Sequence, residues 1–367
     1  MNKQKYKVGS LFAGIGGICL GFKQAGAELA WANEFDKHAC ITYRHNFDHL
    51  LIEEDVRKVD EHSLPKIDIL TAGWPCVSFS VAGRRYGMSY QCNQCSHEHH
   101  VTFEEYMGTP KCPKCSGKTE PKDPRGTLFF DVIRFIKALK PKAFLLENVK
   151  NLVGHDKGNT FKVIKSMLLA EGYHIEYKVL NTMIHGNIPQ NRERIFIVGF
   201  KDKRHLDCFD FPKETSLTKS IDDLLERSIK QDDKYYYTEQ SKYYEMLSES
   251  VKKKNTVYQL RRTYVRENQS NVCPTLTANM GTGGHNVPLI LDDYGIRKLT
   301  PRETLSFQGF PKSFRIPENM ANSHLYKQAG NSVSVPIIKE IAERMINALN
   351  LIEHRKPKKE EQLALFA

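Results

Sequence analysis

Lys7-Val8-Gly9-Ser10-Leu11-Phe12-Ala13-Gly14-Ile15-Gly16-Gly17 is a short apolar run that breaks into a glycine-rich turn. The run has the length and residue types of a buried strand, read as Val8–Phe12, and Ile18–Gln24 behind the turn reads as a helix. Strand, glycine turn and helix in that order open an α/β sheet in which glycines let a ligand approach the backbone. Glu34 follows Gly14 by twenty residues, at the end of the next apolar run, Leu29–Asn33. An acid at that edge is placed to accept hydrogen bonds from ribose hydroxyls, whether of a dinucleotide or of an adenosyl compound. A tight turn without a ligand is the plain alternative, and a dehydrogenase stays open on these residues alone.

Outward from this start, short apolar runs alternate with amphipathic segments of helix length as far as Phe200. Further strands are expected at Ile67–Ala72, Ala143–Leu146, His174–Leu180 and Ile195–Phe200, and helices at Thr127–Leu139 and Thr160–Ala170. The fold class is therefore α/β, a mostly parallel sheet covered on both faces. Two segments interrupt the rhythm. Residues 91–123 are polar and Cys-rich, and 222–317 are rich in Tyr, Lys and Arg around Gly-rich turns, which reads as a smaller second domain. Residues 318–330 are read as a hinge. Ser334–Leu351 carries Val335, Ile338, Ile341, Met345 and Leu349 at helical spacing and returns to the large domain, which spans 1–221 and 331–352. Residues 353–367 read as a flexible tail.

The chemistry enters at Gly73-Trp74-Pro75-Cys76, directly after the strand Ile67–Ala72 and so at the carboxyl edge where open α/β sheets bind ligands. A structural Cys belongs more often inside a strand than in a loop behind Pro. Glu147-Asn148-Val149 follows Ala143–Leu146 and brings a carboxylate to the same edge. Gln190-x-Arg192-x-Arg194 precedes Ile195–Phe200 and, if extended, points three polar side chains one way.

Taken together with Arg297-x-Leu-Thr-Pro-Arg-Glu303 and Gly330-Asn331-Ser332-Val333, these blocks resemble, in order, the signatures of the DNA (cytosine-5)-methyltransferase family. The likeness runs from about Lys7 to Leu351, apart from the Cys-rich insert and much of the small domain. It implies a Rossmann-like domain that uses S-adenosylmethionine, a target-recognition domain, double-stranded DNA as substrate and a place in a bacterial or phage restriction-modification system or as an orphan enzyme. By this resemblance Cys76 is the nucleophile that adds to carbon 6 of cytosine, Glu147 hydrogen-bonds or protonates ring nitrogen 3, and Arg194 holds Glu147 with Arg192 beside it. The target base must leave the helix stack to be reached. Phe12, Gly14, Gly16, Gly17, Glu34, Phe35, Asp55, Val56, Pro75, Leu128, Asn331 and Ser332 are implied around S-adenosylmethionine, and Ser80, Arg125, Gln190 and Thr275 at the DNA. Two departures stand out: Val77 where the family often has Gln, and Trp74 where it more often has Phe.

Cys92-x-x-Cys95 and Cys112-x-x-Cys115 have a spacing that suits a four-thiolate zinc site built from two knuckles. A redox dithiol or unmetallated cysteines are the alternatives. The insert cannot bury a core by ordinary means, so a staple such as structural zinc is expected there.

Composition agrees with a polyanionic partner: 54 Lys and Arg against 43 Asp and Glu give a formal charge of +11. Lys252-Lys253-Lys254, Arg261, Arg262 and Arg266 interleave with Tyr258 and Tyr264. No apolar run is long enough to span a membrane, and Met1–Ser10 lack a secretory stretch, so a soluble, cytoplasmic, nucleoid-associated monomer is expected. The end of the chain, Gln362-Leu363-Ala364-Leu365-Phe366, resembles the short peptide by which bacterial proteins bind the replication sliding clamp. Two other readings have to be weighed. An RNA cytosine methyltransferase of the same fold lacks support because its Cys-Phe-Thr tripeptide is missing, and a non-catalytic zinc-dependent DNA-binding regulator would leave Cys76, Glu147, Arg192 and Arg194 without a task.

Overall fold

The computed structural model describes residues 5–75, 88–102, 105–106, 108–121, 127–268, 271–282 and 286–353. Cys76, Ser80, Arg125 and the tail residues Gln362, Leu363, Leu365 and Phe366 lie outside the described residues.

The opening run forms β1 (Lys7–Leu11), followed by β2 (Glu28–Asn33), β3 (Leu50–Ile52) and β4 (Ile69–Gly73). The Cys-rich insert contributes β5 (Met88–Cys92), β6 (Glu98–Val101) and β7 (Thr119–Pro121). The large sheet resumes with β8 (Ala143–Val149) and β9 (His174–Asn181), then, past the two-residue β10 (Gln190–Asn191), β11 (Glu193–Phe200). Its order is β3-β2-β1-β4-β8-β11-β9. The first four pairings in that order are parallel, whereas β11 runs antiparallel to both neighbours. The chain leaves β1 toward β2 on one side and returns to β4 on the other, so a crevice opens at their carboxyl ends, where such folds bind ligands.

Alternation along the strands builds two cores. On β8, Phe144 and Leu146 join one cluster with Phe129, Phe135 and Ile164, while Ala143 and Leu145 face the other with Phe22, Ile338 and Met345. The helices responsible are Leu128–Leu139 and Asn159–Ala170 on one face, and Gly17–Gln24 and Val335–Glu353 on the other. The periodicity of the sequence foretells all four to within two residues. It misses β3, which is three residues long, and the helix Lys37–Arg44, which Asp36 caps by accepting from His38 N and Ala39 N.

The second unit carries a small antiparallel sheet of β12 (Tyr258–Leu260), β13 (Val265–Glu267), β15 (Leu289–Leu291) and β16 (Ile296–Lys298), in the order β13-β12-β15-β16. It is stitched to the large unit where β10 pairs in parallel with β14 (Cys273–Pro274). The block Arg297 to Glu303 is a buried knot. Arg297 is fully buried between Asp292 at 2.6 Å and Glu303 at 2.7 Å, and Thr300 and Glu303 form a reciprocal capping box with Pro301 in the first helical turn. Residues 318–330, expected as a hinge, are largely helix: Asn322–Asn331 packs Tyr326 on the small unit and Ala329 on the large one.

Gly281 and Gly330 serve this junction. A Cβ on Gly330 would lie 2.2 Å from the Thr277 backbone, and one on Gly281 2.3 Å from the Ser323 carbonyl. The close approach they permit is of protein to protein.

Candidate active site

Phe12, Gly14 and Gly16 all have positive φ, 54°, 57° and 88°, so the chain coils sharply out of β1. Such a conformation is costly for Phe12 and free for glycine. Gly14 N donates to Glu34 Oε2 at 2.8 Å, and Glu34 Oε1 accepts from Phe35 N and Asp36 N at 2.9 and 2.8 Å. The carboxylate therefore ties the glycine turn to the end of β2. Burial raises its pKa, and the three backbone N–H groups partly oppose that. Lys327 closes the rim by donating to Asp36 Oδ2 at 2.7 Å, and the Phe35 ring stands 69% exposed at the mouth.

The cleft that opens here measures about 590 Å³ and continues from the glycine turn to Glu147. Glu147 is the third residue from the end of β8, opposite Phe196, while Arg194 on β11 pairs with Val149. The two are diagonal neighbours on one face of an antiparallel pair, and Arg194 Nε lies 3.2 Å from Glu147 Oε1. Burial pushes Glu147 toward the neutral acid against the pull of Arg194 and then Arg192. Asn148, next along β8, donates from Nδ2 to the Trp74 carbonyl at 2.9 Å and so fixes the backbone that leads to Pro75.

Arg192 is the joint between the units. Nη1 donates to Leu276 O at 2.8 Å, and Nη2 to Gly330 O at 3.2 Å and to Ser332 O. Burial, with the like charge of Arg194 adding and Glu147 opposing, brings its pKa down to about 9. Its Nε and the Ser332 hydroxyl are buried without a hydrogen-bond partner among the described residues, and both residues line the cleft. Orphaned polar atoms on a cleft wall are unusual unless something fills the cleft.

Of the residues the sequence singles out, Phe12, Gly14, Gly17, Glu34, Phe35, Pro75, Glu147, Arg192, Arg194, Asn331 and Ser332 line this one space. Others do not. Gly16 turns against Phe47 and Tyr43, Asp55 is engaged by Arg57, and Val56 and Leu128 pack in the main core. Gln190, expected at the DNA, is fully buried: its amide donates to Phe307 O at 2.5 Å and accepts from Leu276 N at 3.2 Å, so it braces the two units. Thr275 donates to Asn191 O at 2.6 Å across the β10–β14 pair. The extended Gln190-x-Arg192-x-Arg194 strand is broken after Asn191: Gln190 and Arg192 both engage Leu276, while Arg194 turns to Glu147. The sequence reading missed Asp36, Asn148, Lys327 and Gln328 on the cleft wall. Lys327 and Gln328 stand just before the Gly330-Asn331-Ser332 block, and helical spacing from Asn331 is the signal that would have found them.

In the insert, the sulfurs of Cys92, Cys95, Cys112 and Cys115 lie within 4.8 Å of one another. Gln94 N donates to Cys92 Sγ and Lys114 N to Cys112 Sγ, each at 3.4 Å, and Ser96 and Ser116 both take a left-handed turn right after their Cys pairs. Two matching knuckles thus face each other.

One end of the cleft is shaped around backbone N–H groups and an acid, the other around a buried carboxylate held by arginine, a layout that belongs to a group-transfer enzyme of the α/β methyltransferase fold. The C-5 cytosine-specific DNA methylase family matches residues 6–100 and 107–347, and the chain belongs to that family: it is a DNA (cytosine-5)-methyltransferase. It is 52% identical over 345 residues to the type II methyltransferase M.Bsp6I of Bacillus sp. strain RFL6, covering 94% of this chain and 99% of that one. With M.HaeII of Haemophilus aegyptius it shares 38% identity over 348 residues, 95% of each chain. Among solved structures, DNMT2 of Spodoptera frugiperda superposes with a TM-score of 0.67 at 18% identity, covering 93% of this chain and 99% of that one. Dnmt2 of S. pombe gives 0.66 at 18%, covering 94% and 100%. These two show the shared fold.

Proposed function

We propose that this enzyme methylates carbon 5 of cytosine at a specific site in double-stranded DNA, with Cys76 as nucleophile and S-adenosylmethionine as methyl donor. The observation that carries the reading is the pairing of buried Glu147 with Arg194 at 3.2 Å, in the same cleft as Gly14, Glu34 and Pro75, the residue before Cys76. The cleft fits the donor: Glu34 would accept from ribose hydroxyls, the exposed Phe35 ring would offer a flat apolar surface, and the buried Ser332 hydroxyl would meet a polar group. When bound, the donor supplies an electrophilic methyl on a sulfonium.

The base is first rotated out of the duplex, at a cost of about a few kcal/mol regained from pocket contacts. The Cys76 thiolate then forms a bond to carbon 6 of cytosine, and the electron pair displaced onto the ring makes carbon 5 nucleophilic. Glu147, shifted by burial toward the neutral acid, hydrogen-bonds ring nitrogen 3 and meets the charge that develops there, while Arg194 keeps it in place. Carbon 5 would take the methyl of the bound donor, with the sulfonium S–CH3 pair leaving on sulfur as a neutral thioether. A base would then take the carbon 5 proton, and the freed C–H pair would restore the ring double bond as the carbon 6–sulfur bond breaks and the Cys76 thiolate leaves. Arg192 links Leu276 of the recognition unit to the Gly330–Ser332 wall, so both halves of the site share one support.

The four insert cysteines are read as ligands of a structural Zn²⁺, which four converging thiols with two N–H···S bonds fit. The naming of M.Bsp6I and M.HaeII as type II methyltransferases supports a restriction-modification role. A monomer in the cytoplasm, associated with the nucleoid, is part of the same proposal. Ser80, Arg125 and Thr275 are proposed contacts to DNA, and residues 362–366 a docking peptide for a sliding clamp. Among the described residues no helix is long and apolar enough to cross a membrane.

The decisive test is transfer of tritiated methyl to cytosine-containing duplex by the wild type and by Cys76→Ala. Incorporation at carbon 5 by the wild type and none by the variant is expected. Wild-type turnover in the variant would remove Cys76 from the mechanism.

A further inference from the structure

Val101 and Tyr106 belong to the insert by sequence, and Tyr90 precedes it by one residue on its first strand, yet all three belong to the large domain by burial. Tyr90 and Val101 lie in one core cluster with Phe129 and Phe130, and the Tyr106 ring is 5.4 Å from that of Phe130. The insert thus places its large side chains on the helix Leu128–Leu139, and leaves its own centre to the four cysteines.

A buried polar chain runs from that contact. The Tyr106 hydroxyl donates to Asp131 Oδ2 at 3.0 Å, and Asp131, 1% exposed, accepts on its other oxygen from Arg134 Nε and Nη2 at 3.3 and 3.2 Å. Arg134 then reaches a separate segment, donating to Val56 O at 2.8 Å and Val59 O at 3.0 Å, with Glu61 as its further carboxylate partner. The segment so held is joined to β2, because Asn33 Nδ2 donates to Ile52 O and Glu54 O at 3.0 and 2.8 Å and Glu34 N donates to Ile52 O at 3.1 Å. Glu34 is the acid of the cofactor wall. Each link is a hydrogen bond in a dry setting, where losing one partner leaves the other unsatisfied. Burial raises Asp131 to about 6 against the pull of Arg134 and the Tyr106 hydroxyl, so loss of either donor favours a neutral acid that grips Arg134 less.

We propose that the four-cysteine insert buttresses the cofactor wall, with Tyr106, Asp131 and Arg134 as positioning residues that carry its order to the Val56–Val59 turn and to Glu34. The proposal rests on the zinc reading, because the strands of the insert converge on the four cysteines and so polar a segment needs such a staple to keep its order. Glu147 and Arg194 stand on β8 and β11, outside this chain of contacts. The signature is therefore weaker cofactor binding with the chemical step intact.

The test uses the full-length enzyme as purified, with metal content by plasma mass spectrometry, S-adenosylmethionine affinity by calorimetry, and kcat and KM. Tyr106→Phe is expected to keep its zinc, to weaken cofactor Kd and raise its KM about three- to tenfold, and to hold kcat within about twofold. Asp131→Asn should give a similar loss, and the double variant no more than Asp131→Asn alone, because both act on one link. Cys112→Ser with Cys115→Ser should lose the metal and weaken cofactor binding at least as much. A zinc-replete Tyr106→Phe enzyme with unchanged Kd overturns the buttress, and additive losses in the double variant overturn the route through Asp131. Wild-type enzyme free of zinc overturns the metal reading instead, and Tyr106→Phe then still tests the buttress on its own.

Discussion

Glu147 and Arg194 face each other because β11 runs against β8, which sets Arg194 two residues diagonal to Glu147 with 3.2 Å between Nε and Oε1. In a fully parallel sheet the same residues would enter the edge from opposite ends and would not meet.

The raised pKa of Glu147 has a consequence for stability. Its folded value lies above the unfolded one, so its contribution to stability is complete below the unfolded carboxylate pKa and is lost as pH rises through the folded value. Above that folded value the ionised, buried carboxylate is a cost. Glu147→Gln should therefore raise the Tm of the free enzyme near pH 8, with the difference shrinking toward pH 4, while methyl transfer falls by about two to four orders of magnitude. Thermal melts across pH, beside single-turnover rates, check both; a variant less stable at every pH would refute the account.

Ser332 separates binding from folding. Its buried hydroxyl has no partner among the described residues, so Ser332→Ala is expected to remove no hydrogen bond from the free enzyme. Denaturation midpoints should stay within about 0.5 kcal/mol of wild type. Cofactor Kd should rise about three- to tenfold, and an unchanged Kd would show that the hydroxyl meets nothing.

Arg192 tests the joint. Lysine keeps the charge at this site but cannot span Leu276 O, Gly330 O and Ser332 O together. Arg192→Lys is expected to lose about 2–4 kcal/mol in urea unfolding and to weaken cofactor and DNA binding together. Loss of only one of the two affinities would place the residue on that side alone.

Asn148→Ala frees the Trp74 carbonyl and with it the backbone that delivers Cys76. A fall in kcat of about 10- to 100-fold with little change in cofactor Kd is the expected pattern, since a small displacement of a nucleophile acts on the chemical step. Comparable losses in both constants would point to general damage.

The tail is tested apart from the enzyme. A peptide spanning residues 354–367 should bind a bacterial sliding clamp in the micromolar range by calorimetry, and replacing Leu365 and Phe366 by Ala should abolish it. The absence of heat with the native peptide at high micromolar concentration removes the clamp from the list of partners.

Periodicity and glycine placement were enough to set out β1, its turn and the acid at Glu34, because those features are local: a strand needs two-residue alternation and a sharp turn needs residues free at positive φ. The family blocks likewise pointed to Glu147 and Arg194, which lie 3.2 Å apart, while Cys76 lies outside the described residues. Gln190 and Gly281 illustrate the limit. Gln190 is expected at DNA and Gly281 stands in one of the Gly-rich turns of the second unit, yet both press one part of the protein against another, Gln190 on Phe307 and Gly281 on Ser323. A motif records which residue is needed but not which neighbour needs it.

What the sequence by itself determined is the order of elements and the chemistry available at the sheet edge, since these depend on near neighbours and residue type. The tertiary structure alone decided the partners across long separations: Arg192 with Leu276 and Gly330, Lys327 with Asp36, and Tyr106 of the insert with Asp131. Those contacts follow from how helices and strands pack, and burial then fixes which polar groups must find one another, because an unpaired one costs more than any local preference gains.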